Sequence, residues 1–348
     1  MTIEPLTVEN RIALSEIEDT EAWGYYKRLE SLVWNAQEVN MSADYADWRE
    51  KLSAGQRAFY TAVLGLFGPG DELVSANLND NFLAEMCRLE VRFFYSACAA
   101  QENVHTEAYS LQIRTILDPA DATKLLTDPA AVPAVASIVK WVRGWSDPKL
   151  PLGHRLMAFG FFEGLIFQGQ FMAIQMLKTL NVMPGLTEYN EFIARDENLH
   201  CEFACFLVRE RLTDRPSQEE MKNLLGQAVA LCDEFFAGAL AAARAAEGLG
   251  PDSPSPVPKL NEEGLHDYVR NVADRVAAKM GYKKVYRTRN PFPESVALAL
   301  NERGKTNFFE ERPTQYSRDF TPTHISADEL GKLLPNLMPA LLARQQAA

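Results

Sequence analysis

Two segments of this chain, QENVHTEAYSL and RDENLHCEFA, share one spacing: Glu102 with His105, and Glu197 with His200. Residues three apart on a helix lie on one face, about 60° apart around the axis. Each pair can therefore present a carboxylate oxygen and an imidazole nitrogen to one cation. That donor mixture suits iron or manganese better than a thiolate-seeking ion. The spacing alone is a weak signal, because Glu263 and His266 in NEEGLHDY repeat it among charged neighbours. There it reads as a surface pair on an exposed amphipathic helix. Context separates the other two, since VRFFYSACAAQENVHTEAYSLQI and NEFIARDENLHCEFACFLV are apolar and aromatic.

Two further acids occupy apolar stretches. Asp71 lies in LGLFGPGDELVSANL, and Glu163 is the single charged residue of LMAFGFFEGLIFQGQFMAIQML. A buried carboxylate is costly unless it is paired, protonated or bound to a metal. The second stretch is long enough to cross a bilayer. It also carries Gln168, Gln170 and three glycines in a chain that is otherwise soluble in character, and it reads as a core helix. Four helices then converge, two giving Glu-x-x-His and two giving a lone acid, which is the dimetal pattern of ferritin-like four-helix bundles. The four acids balance two divalent ions, and Glu163 is one of the ligands. Tyr109 follows Glu102 by seven residues and returns to within about 20° of its face. Spacing leaves two readings open for it: a phenol beside the metals, or a core tyrosine with its hydroxyl hydrogen-bonded.

The elements that must position these residues are helical almost throughout. Periodicity predicts helices over roughly 20–38, 54–80, 82–117, 133–146, 152–181, 186–212, 217–247 and 262–280, with no convincing strand. DPADA at 118–122, SDPKLPLG at 146–153 and NVMPGL at 181–186 carry turn chemistry, and 248–258 resembles a linker or exposed loop. Glu72 would point about 100° away from Asp71, as a neighbour of the ligands or a surface acid. The composition, 47% hydrophobic and 24% charged, is that of a soluble globular protein. A net charge of −12 argues against a nucleic-acid surface. The start, MTIEPLTVEN, is neither a signal nor a transit peptide. Five cysteines without CxxC spacing read as buried free thiols, in a reducing cytoplasm and not in a membrane. Residues 1–20 are expected to form an arm, 21–310 an all-α ferritin-like domain, and 311–348 a tail.

From Glu21 to Tyr316 the sequence resembles the small, radical-generating subunit of class I ribonucleotide reductase, especially its eukaryote-like branch. The resemblance is carried by YYKRLESLVWNAQEVNMS, GDELVSANL, ENVHTEAYSL, FFEGLIFQGQF, VMPGLT, RDENLHCEFACFLV and KTNFFEERPTQY, in that order. It implies that Asp71, Glu102 and His105 hold one metal and Glu163, Glu197 and His200 the other, with Glu102 and Glu197 bridging. It places Tyr109 at the radical tyrosine, in an apolar pocket of Phe167, Phe171 and Ile193. Trp34, Asp196 and His105 would form a coupled chain, with Tyr316 passing the radical to the large (alpha) subunit. The implied cofactor is a dinuclear centre, diiron-oxo first, with dimanganese or manganese–iron sharing the ligand set. Dioxygen and a homodimer are implied too. The family's tail ends in an acidic stretch closed by an aromatic residue, whereas this chain ends LMPALLARQQAA, so the resemblance does not carry over its docking mode. Two competing readings are another ferritin-like dimetal oxidase, which needs no Trp34 and Tyr316 relay, and an iron-storage protein, which predicts many irons per chain.

Overall fold

Capping residues set where the long helices begin. Ser53 accepts a hydrogen bond from the backbone of Gln56 and Gln56 answers to the Ser53 N–H; Ser217 and Glu220 repeat the arrangement. Asp19 and Asn261 cap two more helices, and Pro119, Pro133 and Pro184 stand in first turns, where a missing N–H costs nothing. The computed structural model describes residues 6–293 apart from 8, 129 and 130, together with Val296.

The described residues form α1 (Thr20–Glu30), α2 (Ser42–Glu50), α3 (Ala54–Asn77), α4 (Leu83–Glu85), α5 (Leu89–Ile116) and α6 (Pro119–Thr127). They continue as α7 (Pro133–Trp145), α8 (Leu152–Phe161), α9 (Phe167–Lys178), α10 (Pro184–Phe206), α11 (Gln218–Ala246) and α12 (Glu262–Lys279). Three π-helical turns, Leu78–Phe82, Phe162–Ile166 and Leu207–Arg211, interrupt or end long helices. No strand occurs among the described residues. The central bundle is α3, α5, the α8–α9 pair and α10; α1 lies on α5, α11 on α3, and α12 on α11.

The all-α expectation holds, but its boundaries shift. The helix expected over 20–38 stops at Glu30, and Trp34 sits in an extended break before a short 3₁₀ turn, Ala36–Glu38. The stretch at 118–122 opens α6 instead of a loop, because its proline takes the N1 position. Helix α2 carries no clear periodic apolar stripe and was not expected. Its value is positional: Asp44 accepts from the backbone N–H groups of Gly185 and Leu186, and Asp47 from that of Met183. These bonds fix the start of α10, where Met183 takes a left-handed conformation. After 281 the chain is irregular, with Asp274 accepting three backbone N–H groups from Val285, Tyr286 and Arg287.

Two helical stretches, Leu152–Lys178 and Gln218–Ala246, have the length and composition to cross a membrane. The most apolar window of the first is wholly buried inside the protein, as expected of a core helix.

Candidate metal centre

Helix α5 carries Glu102, His105 and Tyr109 along one face, and α10 carries Asp196, Glu197 and His200. Helix α3 brings Asp71, and the π turn between α8 and α9 brings Glu163. All of them except Tyr109 (2% exposed) are fully buried at 0% exposure, a burial that only pairing, protonation or a cation can sustain. Ligand atoms of Asp71, Glu102 and His105 lie within 4.8 Å of one another, as do those of Glu102, Glu163, Glu197 and His200. The two groups share Glu102. His105 Nδ1 is 2.8 Å from Glu197 Oε1, and His200 Nδ1 is 3.1 Å from Glu102 Oε1, so each histidine also reaches the acid of the other pair.

The inner and outer atoms of these side chains are treated differently. Facing outward, His105 Nε2 is 3.3 Å from Asp196 Oδ2, and His200 Nε2 is 2.9 Å from Gln101 Oε1. Such outer partners fix ring orientation and leave Nδ1 free to ligate. Facing inward, both oxygens of Asp71 and Glu163 and Glu102 Oε2 find no hydrogen-bond partner among the described residues, and His105 Nδ1 and Glu197 Oε1 approach to 2.8 Å without the alignment of a hydrogen bond. Buried polar atoms are almost always paired. Seven ligand atoms without an aligned hydrogen bond, converging from four helices, fit a pair of divalent cations.

Without a cation, protons take over the charge balance. Burial, then Glu102, pushes the Asp71 carboxyl well above its ordinary range, and burial, then Glu197, does the same to Glu163. Burial also pushes Glu197 upward, but the adjacent Glu163 and the two histidines outweigh it and hold Glu197 well below the ordinary range. Burial opposes the charged form of His105, yet Asp196, Glu102 and Glu197 raise it well above its ordinary value.

Trp34 Nε1 donates to Asp196 Oδ2 at 2.7 Å, and its ring stacks on His105 with centroids 5.9 Å apart. Arg195 grips the other oxygen of Asp196 at 2.9 Å and also donates to the Leu32 carbonyl. That second bond pins the extended segment holding Trp34. Tyr109 is buried and its hydroxyl has no partner among the described residues, so an ordinary hydrogen-bonded core tyrosine does not describe it. Burial, then Asp71, pushes its phenol well above the ordinary range. Phe67 lies parallel to the Tyr109 ring at 4.5 Å and touches Phe167 and Phe171 in turn. Ile193 is fully buried in the same core.

Phe67, Gln101 and Arg195 escaped the sequence reading. Phe67 precedes Asp71 by four residues, a usable clue to a shared face; the other two act across helices and left no local signal. Glu72 is exposed, as a surface acid. His266 lies 3.5 Å from Asp233, half-exposed and outside the centre, as the charged surroundings of that third pair suggested. Tyr316 lies outside the described residues.

A family model described as "Ribonucleotide reductase, small chain" matches residues 11–291. A ribonucleoside-diphosphate reductase small chain of African swine fever virus is 43% identical over 318 residues, covering 90% of this chain and 94% of the viral one. Its counterpart from Trypanosoma brucei brucei is 35% identical over 318 residues, covering 90% of each chain. The Rnr4 homodimer of Saccharomyces cerevisiae superposes with a TM-score of 0.70 at 27% identity, over 82% of this chain and 88% of that one. The dimanganese(II)-NrdF of Streptococcus sanguinis shares the fold, with a TM-score of 0.68 at 16% identity, over 84% of this chain and all of that one. With the match running through every helix that lines the centre, this chain belongs to the ribonucleotide reductase small-chain family.

Proposed function

We propose that this chain is the radical-generating small subunit of a ribonucleoside-diphosphate reductase, the activity for which its viral and trypanosomal relatives are named. The observation that carries this reading is the set of inward ligand atoms without an aligned hydrogen bond on Asp71, Glu102, His105, Glu163 and Glu197. Asp71, Glu102 and His105 would hold one metal of a dinuclear centre; Glu163, Glu197 and His200 would hold the other. Iron is the first choice for both, with manganese accepted by the same donors. Bound there, a redox-active pair would supply the electrons for dioxygen activation and the oxidising power for a neighbouring side chain.

Tyr109 is that side chain, and gives up an electron together with its phenolic proton. Phe67, Phe167 and Phe171 exclude water and reductants from the ring, which is what lets a neutral phenoxyl persist. Asp196 holds His105 in one orientation and takes the indole N–H of Trp34, so proton and electron shifts at Trp34 are felt at the first metal's histidine. The resemblance makes Tyr316, in the tail over 311–348, the residue that passes the radical to the large subunit. Nucleotide binding falls to that partner, because this chain carries no phosphate-binding glycine loop. A homodimer in the cytoplasm, paired with the large subunit, completes the reading.

Electron paramagnetic resonance tests it. Metal-free protein is loaded anaerobically with ferrous iron, exposed to air and frozen, beside Tyr109→Phe. A tyrosyl signal in the native chain that disappears in the variant is expected. About two irons bound with no signal would remove Tyr109 from the role and leave the metal cage standing.

A further inference from the structure

Helix α5 presents Cys98, Glu102, His105 and Tyr109 at successive turns along one stripe, so a thiol precedes the carboxylate as the imidazole follows it. Cys98 Sγ is 3.9 Å from Glu102 Oε1, and donor atoms of Cys98, Glu102 and His200 all lie within 4.8 Å of one another. All three side chains are fully buried. Beside them, 4.0 Å from His200 Nδ1, stands Glu163, with both carboxyl oxygens unpartnered among the described residues. The other buried thiols near the bundle face elsewhere: Cys201 and Cys205 are 3.8 Å apart and turn toward the Gly160 and Val276 carbonyls. Among the described residues, Cys98 is the cysteine that joins a metal-competent group.

We propose that Cys98, Glu102 and His200 form a sulfur-containing subsite that captures a single borderline divalent cation, zinc or cobalt(II), through a thiolate bond. This rests on the reading of the centre as a metal site. Tetrahedral bonds of 2.0–2.3 Å place neighbouring donors about 3.5 Å apart, so the present spacing closes on an ion with side-chain shifts of about an ångström. On capture the S–H bond breaks, a metal–sulfur bond forms and the proton leaves to solvent; no electron moves. Sulfur favours zinc over manganese, whereas the carboxylate cage alone discriminates far less. The subsite therefore sets which metals enter, and zinc held there blocks assembly of the redox-active pair.

The test is an anaerobic titration of the metal-free full chain with cobalt(II), followed by absorbance, with Cys98→Ala and Cys98→Ser alongside. A near-ultraviolet thiolate-to-cobalt band that saturates with the first equivalent is expected in the native chain. Both variants lose the band while keeping native helical circular dichroism and about two cobalt ions per chain. Zinc affinity falls about 10–100-fold in Cys98→Ser with manganese affinity unchanged, a split that a packing role would not produce. Uptake of two cobalt ions with no band in the native chain, or a band that survives both substitutions, overturns the proposal. Failure of the native chain to bind cobalt at all overturns the metal-centre reading along with it.

Discussion

With no cation beside it, Glu163 keeps its proton in the folded chain and loses it in the unfolded one. Its folded carboxyl lies well above the ordinary range, so between the two values the native state binds more protons, and stability falls as pH rises through that window. Asp71 acts in the same direction, and so do His105 and His200, whose contribution is complete below about pH 6.5 and is lost progressively as pH rises from there through their raised folded values. Glu197 is depressed and works the other way, losing its contribution only in acid. Glu163→Gln mimics the protonated acid without the penalty of ionising it. Thermal unfolding of the metal-free proteins should show the variant gaining on the native chain by at least about 2 °C between about pH 5 and about pH 8. Parallel curves would show that Glu163 ionises freely in the fold. The same variant should bind about one metal fewer by elemental analysis, since an amide is a poor substitute for a ligating carboxylate.

Small residues let the helices that carry the buried acids meet closely, and Gly164 is the tightest of them. Glu163 stands in a π turn, a feature that recurs at functional sites, and Gly164 follows it. A Cβ at Gly164 would lie 2.1 Å from Cys201 Sγ, 3.0 Å from its Cβ and 3.2 Å from Val276 Cγ2. Its absence lets α10 and α12 approach at the level of the ligands. Gly164→Ala should cost about 1–3 kcal/mol of stability and lower metal occupancy, because the overpacking falls beside a ligand. Gly238 on the exposed face of α11 has nothing within 4 Å of an added Cβ, so Gly238→Ala should gain about 0.5–1 kcal/mol. Urea unfolding of the two variants checks both signs. At this scale the sequence was legible where apolar periodicity ran for several turns, as in α3, α5 and α10. The break at Trp34 was not, because the bonds that hold it come from Asp196 and Arg195, some 160 residues away.

At the scale of the molecule, the chain is a ribonucleotide reductase small subunit, and on the proposed reading it makes the oxidising equivalent that the large subunit spends on nucleotide. On the same reading, Tyr316 belongs to the junction between them. Tyr316→Phe should keep the Tyr109 resonance signal at native intensity and abolish deoxynucleotide formation when mixed with the large subunit. Normal turnover in that mixture would take Tyr316 out of the route. The same assay on a chain truncated after Tyr316 separates docking from radical transfer.

What the sequence determined by itself is everything that repeats within one helix. Glu102 with His105, Glu197 with His200 and Tyr109 two turns from Glu102 depend on 3.6 residues per turn and nothing more. Asp71 and Glu163 were legible for a second local reason, an acid on an apolar stretch that has to be balanced. Only the tertiary structure decided which atoms meet across helices. The Trp34–Asp196–His105 chain was implied by the family resemblance but by no local pattern; that Gln101 holds His200 and that Phe67 rather than Phe167 or Phe171 stacks on Tyr109 depend on helix rotation and register. The same holds for Cys98: its place one turn before Glu102 was written in the sequence, but its reach to His200 was set by how α10 packs against α5.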